Sequence, residues 1–175
     1  SHSPIDSKHI LEETLKILNK VIDETRSLTL EISPPLLNEL GLKSAIEWLV
    51  EQSTERYNIK IDFVSSGVYK TLDQDTSSFL FKSMRELLFN IAKHAKASNV
   101  NILLQRENGR IRVVVEDDGL GFHYDKTNNL TDQFNGFGLF NMSERLEQLC
   151  GNLTVKSKHG QGSTVTLEMP IPSLL

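Results

Sequence analysis

The sequence predicts an α+β fold: a two-layer α/β sandwich whose mixed, mostly antiparallel sheet is covered on one face by helices, with a long helix leading in. Three observations predict it. Residues 99–117, "NVNILLQRENGRIRVVVED", form two alternating apolar runs joined at Asn108-Gly109, the strongest short hairpin signal. From about residue 73 to 97, apolar side chains recur at helical spacing over a length that only a helix fills. Two further strand patterns, "NLTVKSK" and "STVTLEMP", close the chain around "HGQG". Helices gathered on one face of an antiparallel sheet bury both apolar surfaces at once.

Each element follows from local signals. Over residues 6–33, Leu11, Leu15, Leu18 and Ile22 fall at alternating four- and three-residue spacing, and Ile10, Ile17, Val21 and Leu28 broaden the stripe. A face that wide needs other helices to cover it. Pro34 and Pro35 end the helix, because proline lacks the donor and disfavours helix in the residue before it. "SPP" therefore reads as a hinge between a helical arm, residues 1–35, and a globular domain, residues 36–175. A second helix, from 36 to about 57, carries Leu40, Leu42, Ala45, Ile46, Leu49 and Val50. "NIKIDFVSSG" alternates Ile59, Ile61 and Phe63, a half-buried strand ending at a glycine. In the long helix, Leu80, Met84, Leu87, Leu88, Ile91 and Ala95 form the stripe expected to face the sheet. Residues 123–135 are polar and read as a loop; a helix over 138–149 is expected to stop at Gly151.

Composition narrows the function classes. The 175 residues suffice for one domain with a core plus an appendage, and 38% hydrophobic with 24% charged residues indicates a soluble globular chain. A net charge of −4 argues against a broad nucleic-acid surface, which needs clustered Lys and Arg. No apolar run approaches the roughly 18 residues that span a bilayer, and no secretory signal pattern opens the chain. The expectation is a cytoplasmic domain, any membrane contact being made by other parts of a parent chain. Cys150, the single cysteine, excludes an internal disulfide, and no CxxC or HExxH pattern suggests zinc. Cys150 is read as a buried small hydrophobe, and Trp48 as core or hinge packing.

Three segments carry chemistry. On the helix "SFLFKSMRELLFNIAKHAKA", Glu86, Asn90 and Lys93 are spaced four and then three, so they stack along one edge. A carboxylate, a neutral oxygen donor and a cation in line suit a magnesium–phosphate site, and a solvated polar face is the rival reading. In "VVVEDDGLGF", Asp117 ends a strand and accepts hydrogen bonds only, so it could hold an amino group such as that of adenine. Gly119 and Gly121 let backbone approach a ligand closely; a plain turn, with Asp118 a turn residue, is the rival. In "NGFGLFNMSERL", Gly136 and Gly138 sit directly before a helix, where free N–H groups favour an anion, against simple capping. No Gly-Lys-Ser/Thr follows, and Asn141 stands where a dinucleotide fingerprint needs its third glycine.

The order of these segments is more specific than any one of them. Glu-x-x-x-Asn on a helix, a hairpin, Asp-x-Gly-x-Gly, a polar loop, Gly-x-Gly with a helix, then Gly-x-Gly-Ser-Thr entering a strand resembles the ATP-binding domain of sensor histidine kinases, over about residues 36–171. That family shares a superfamily with type II topoisomerases, mismatch-repair ATPases and heat-shock chaperones. "ETRSLTLEISPPLLNELGLKSAIEWL", "NIAKHAKA" and "GFGLFNMSERLEQLCGNLTVKSKHGQGSTVTLEMP" look like its nitrate/nitrite-sensor-like subfamily. The resemblance implies ATP and Mg2+ as cofactors, and a leading helix that is the second helix of the dimerisation and phosphoacceptor hairpin. It implies that Glu86 assists the phosphoacceptor or a water, that Asn90 binds magnesium, and that Lys93 and His94 line the triphosphate. Asp117 would read the adenine amine; Gly119 and Gly121 would begin a lid that Gly136 and Gly138 end, Leu139 would join the ATP-binding set, and Thr164 would support the adenine contact.

One departure matters. The family's acceptor is a histidine followed by an acidic residue, and no His-Asp or His-Glu pair exists in this chain. His9, His94, His123 and His159 are therefore read as non-acceptors, and the γ-phosphoryl group is expected to go to a histidine outside this sequence. The implied partners are a phosphoacceptor helix of the parent chain, a response regulator receiver domain, and a second copy in a homodimer. The rivals are a serine-phosphorylating anti-sigma or switch kinase of the same fold, and a catalytically silent dimeric scaffold.

Overall fold

The computed structural model describes Thr14 and residues 35–67, 72–124 and 136–171. The leading helix expected over 6–33 lies outside them apart from Thr14, as does most of the polar stretch 123–135. The elements run α1 (Pro35–Tyr57), β1 (Lys60–Ser66), α2 (Gln74–Asn90) with a π-helical turn at Ile91–Ala95, β2 (Asn99–Glu107), β3 (Arg110–Asp117), α3 (Gly136–Gln148), β4 (Asn152–Ser157) and β5 (Ser163–Pro170). The five strands form one sheet in the order β1-β2-β3-β5-β4. β1 and β2 run parallel and every other pair is antiparallel, so the sheet is mixed and mostly antiparallel as expected. A parallel pair needs a crossover, and α2 supplies it.

Alternation sets which strand face meets the helices. On β3, Ile111, Val113, Val115 and Asp117 are buried while Arg110, Arg112 and Glu116 point the other way. Asp117 is thus a carboxylate at the end of a row of core residues. Asn108 and Gly109, at φ 52° and 71°, both occupy the left-handed region, and Glu107 pairs with Arg110. That is the two-residue type I′ hairpin the Asn-Gly pair predicts. The core combines Leu42, Ala45, Ile46 and Leu49 of α1 with Leu80, Phe81, Met84, Leu87 and Leu88 of α2 and the inner faces of the strands. Trp48 packs partly buried against that core, as expected.

Helix ends explain the boundary differences. α1 begins at Pro35, one residue before the expected 36, where a missing N–H costs nothing, so this proline opens the helix. α2 is capped by Asp73, whose Oδ1 accepts from the Thr76 N–H at 2.8 Å and whose Oδ2 accepts from the Thr76 hydroxyl at 2.7 Å. Burial pushes the Asp73 carboxyl up, but the bonds from Thr76 outweigh it and hold it below its ordinary value. Asp73→Ala is expected to cost about 1 kcal/mol, a melting-temperature loss of about 2–4 °C in a thermal denaturation scan.

Two expectations are corrected at the end of α3. The residue in the left-handed conformation is Cys150, φ 55°, not Gly151. Its N–H reaches the Glu147 carbonyl, and the Gly151 N–H reaches the Leu146 carbonyl at 2.7 Å, so Gly151 stands one place later in a Schellman motif. Gly151 instead lacks a Cβ because one would come within 2.7 Å of the Glu168 carbonyl oxygen. Cys150 is exposed rather than buried, because that motif points its side chain away from the core.

Candidate functional site

Beside the end of β3 lies a cleft of about 120 Å³, open to solvent. α2 and its π-helical turn form one wall through Leu87, Asn90, Ile91, His94 and Ala95. Val115, Asp117, Ser163 and Val165 form the sheet floor, and Gly121, Phe122 and Leu139 close the other sides. The walls are largely apolar, with a few polar groups converging on them, as a flat heterocycle requires.

Asp117 is 6% exposed. Its Oδ1 accepts from the Gly119 N–H at 2.9 Å, and the Ser163 side chain also bonds to it. Burial pushes its carboxyl above the ordinary value, the Gly119 and Ser163 bonds pull it back, and the neighbouring Asp118 charge adds to the rise. A raised folded-state value means that folding favours the neutral acid. Its contribution to stability is therefore complete at low pH and is lost as pH rises through the folded-state value. Binding has the opposite sign, because a ligand amine needs the ionised acceptor. Affinity for a ligand that donates an amine to Asp117 is expected to fall as pH drops through a midpoint above 3.8, a step that titration calorimetry across pH should find.

Asp118 does more than turn the chain. Its Oδ1 accepts from the Ser98 and Asn99 N–H groups at 2.7 and 3.0 Å, and its Oδ2 from the Asn99 side chain at 2.7 Å. It thereby staples the end of β3 to the start of β2. The next residues are pinned on both sides: the Leu120 N–H donates to the Ala95 carbonyl, and the Leu120 carbonyl accepts from the Gly160 N–H.

Asn90, His94, Asp117, Gly121 and Leu139 all line the cleft. Glu86 lies one turn from Asn90, whose Nδ2 donates to its Oε1 at 3.2 Å. A Cβ on Gly138 would sit 2.7 Å from that same Oε1, so a side chain there would push the Glu86 carboxylate aside. Gly119 touches Asp117 from the loop, and Gly136 is the first residue of α3. The helix thus begins two residues before the expected 138, with both glycines in its first turn. Two residues are placed elsewhere. Lys93 turns out of the cleft and its Nζ stands 5.4 Å from the centre of the Phe89 ring, because the lining stripe is Leu87, Asn90, Ile91 and His94. Thr164 lies on the opposite sheet face, paired with Glu116 and Lys156.

Ser163, and not Thr164, lines the cleft beside Asp117, and its signal was available. Ser163 shares strand parity with Val165, Leu167 and Met169, the apolar set that must face the helices. Phe122 was also missed, since a single aromatic in a loop has no periodicity to mark its side.

Comparison with known proteins agrees with this fold. Residues 75–173 match the family described as histidine kinase-, DNA gyrase B- and HSP90-like ATPase. The chain is 32% identical over 155 residues to the oxygen sensor histidine kinase NreB of Staphylococcus carnosus, covering 89% of this chain and 44% of that protein. It is 33% identical over 165 residues to the sensor histidine kinase MctS of Rhizobium johnstonii, covering 94% and 35%. The chain thus spans less than half the length of these curated relatives. The blue-light activated histidine kinase of Erythrobacter litoralis superposes with a TM-score of 0.58 at 22% identity, over 72% of this chain and 40% of that one, a likeness of fold.

Proposed function

Since the chain belongs to the family of histidine kinase-, DNA gyrase B- and HSP90-like ATPases, we propose that residues 36–175 are the Mg-ATP-binding catalytic domain of a two-component sensor histidine kinase. Residues 1–35 are then part of its dimerisation and phosphotransfer hairpin, and the γ-phosphoryl group passes to a histidine on another segment of the parent chain. From there it passes to a response regulator receiver domain. The observation that carries this reading is Asp117, a buried acceptor on the cleft floor, held by Ser163 and the Gly119 N–H opposite a wall that presents Asn90 and His94.

The residues divide the work by chemistry. Asp117 accepts from the exocyclic amine, which orients the base between apolar walls. Asn90 and Glu86 supply hard oxygen donors at the cleft's edge, the kind magnesium prefers, and Asn90 keeps its Oδ1 outside the bond it makes to Glu86. Bound there with ATP, the ion would neutralise charge on the phosphates. His94 lines the wall towards which the phosphates would extend, and the first turn of α3 offers N–H groups to them. Glu86 stands ready to orient an attacking group. Catalysis by these parts is positioning and charge neutralisation.

Titration calorimetry should detect Mg-ADP and Mg-ATP binding to this chain. Incubation with γ-labelled ATP should leave no acid-labile phosphohistidine on it. Absence of any nucleotide binding would favour the scaffold reading, and stable self-labelling would remove the claim that the acceptor lies elsewhere.

A further inference from the structure

One chain of hydrogen bonds leads from the cleft to a residue outside its lining. Ser157, the last residue of β4, pairs directly opposite Ser163 on β5, with 3.0 Å between the two hydroxyl oxygens. The Phe122 N–H, at the start of the loop after β3, donates to the Ser157 Oγ at 2.8 Å. Ser163 in turn bonds to the Asp117 carboxylate.

The chemistry of these groups fixes the direction of every proton. An ionised carboxylate only accepts, so the single hydroxyl proton of Ser163 goes to Asp117. The proton between the two serines must then be that of Ser157. The Gly162 carbonyl oxygen, 3.3 Å from the Ser157 Oγ, is the more distant competitor for it. Donors therefore point one way, from Phe122 to Ser157 to Ser163 to Asp117. At the cleft floor this leaves two oxygens, on Asp117 and Ser163, that accept and have no proton to offer. A 6-amino purine donates to such a pair; a 6-oxo purine meets it with an unpaired carbonyl, which is the costly case.

We infer that Ser157 is a positioning residue for base selectivity: by donating to Ser163 it keeps the floor acceptor-only, and by accepting from Phe122 it ties that setting to the loop beside the cleft. This rests on the nucleotide reading of the cleft. Without the Ser157 hydroxyl, Ser163 loses its donor, holds Asp117 less firmly and is free to turn its own proton into the cleft.

The test is displacement of a fluorescent ADP analogue from the chain by ADP and by GDP. Ser157→Ala should weaken ADP about fivefold, the worth of one neutral hydrogen bond, and leave GDP unchanged or improved, so the ADP-to-GDP preference narrows. Ser157→Thr should restore the preference, because it keeps the hydroxyl. Ser157→Cys, which keeps the volume and offers only a weak S–H donor, should shift the preference as alanine does, so a poorly folding alanine variant does not hide the answer. An unchanged preference in both the alanine and cysteine variants, or a threonine variant that folds and does not restore it, overturns the inference alone. A native chain that binds no ADP overturns the nucleotide reading itself.

Discussion

Asp117→Asn should lower adenine-nucleotide affinity by about 10- to 150-fold, the range spanned by hydrogen bonds to a charged partner. The amide offers one acceptor oxygen where the carboxylate offers two, and turns an N–H towards a ligand amine that is itself a donor. Stability should move the other way or stay still. Burial already works against the Asp117 charge, and the Gly119 N–H needs only one oxygen to remain satisfied. Ser163 can rotate to accept from the new amide. The expected result is a lost calorimetric signal with a melting temperature equal to or above that of the native chain. A variant that binds ADP normally would remove Asp117 from the site; one that melts far lower would make it a structural residue.

Gly162→Ala should be among the most damaging single-methyl changes near the site. Gly162 has φ 72°, and a Cβ there would collide with the backbone carbonyl oxygen of Asp117. Left-handed backbone costs a non-glycine residue roughly 1–2 kcal/mol, and overpacking against atoms that cannot swing aside adds about 1–3 kcal/mol. A loss of about 3 kcal/mol corresponds to a melting temperature lower by about 6–12 °C, with weaker ADP binding because Asp117 itself is displaced. Gly160→Ala is the control: its φ is 77°, but a Cβ would meet nothing within 4 Å. It should lose only the backbone term, about 1–2 kcal/mol. Equal melting temperatures for the two variants would show that the close approach to Asp117 carries no weight.

These two residues show how far the sequence could be read. Asp117 was legible because it sits at the end of an alternating run, where a carboxylate must either turn the chain or face a ligand. The order of Glu86, Asn90, Asp117, Gly136 and Gly138 raised it above a turn. Ser163 was legible in principle, since strand parity separates it from Thr164. The weight of Gly162 was not, because nothing local says that a strand-entry glycine will pass over the carbonyl of a residue 45 positions earlier. Lys93 illustrates a different limit. At α-helical spacing Glu86, Asn90 and Lys93 would share one edge, but Ile91–Ala95 winds as a π-helical turn, and the cleft is lined by Asn90 and His94 instead of Lys93.

By itself the sequence determined the elements and their chemistry: the hairpin at Asn108-Gly109, the sheet-facing stripe of α2, the leading carboxylate at the end of β3 and the glycines that allow close approach. These are local properties, set by periods of two and 3.6 residues and by backbone preferences that neighbours in the chain already express. Tertiary structure alone decided what meets what. Pairing register put Ser157 opposite Ser163, the return of the loop after β3 put the Phe122 N–H on Ser157, and the packing of α3 brought Gly138 onto Glu86. Contacts between residues tens of positions apart depend on the whole sheet being assembled, and a linear pattern holds no distance of that kind.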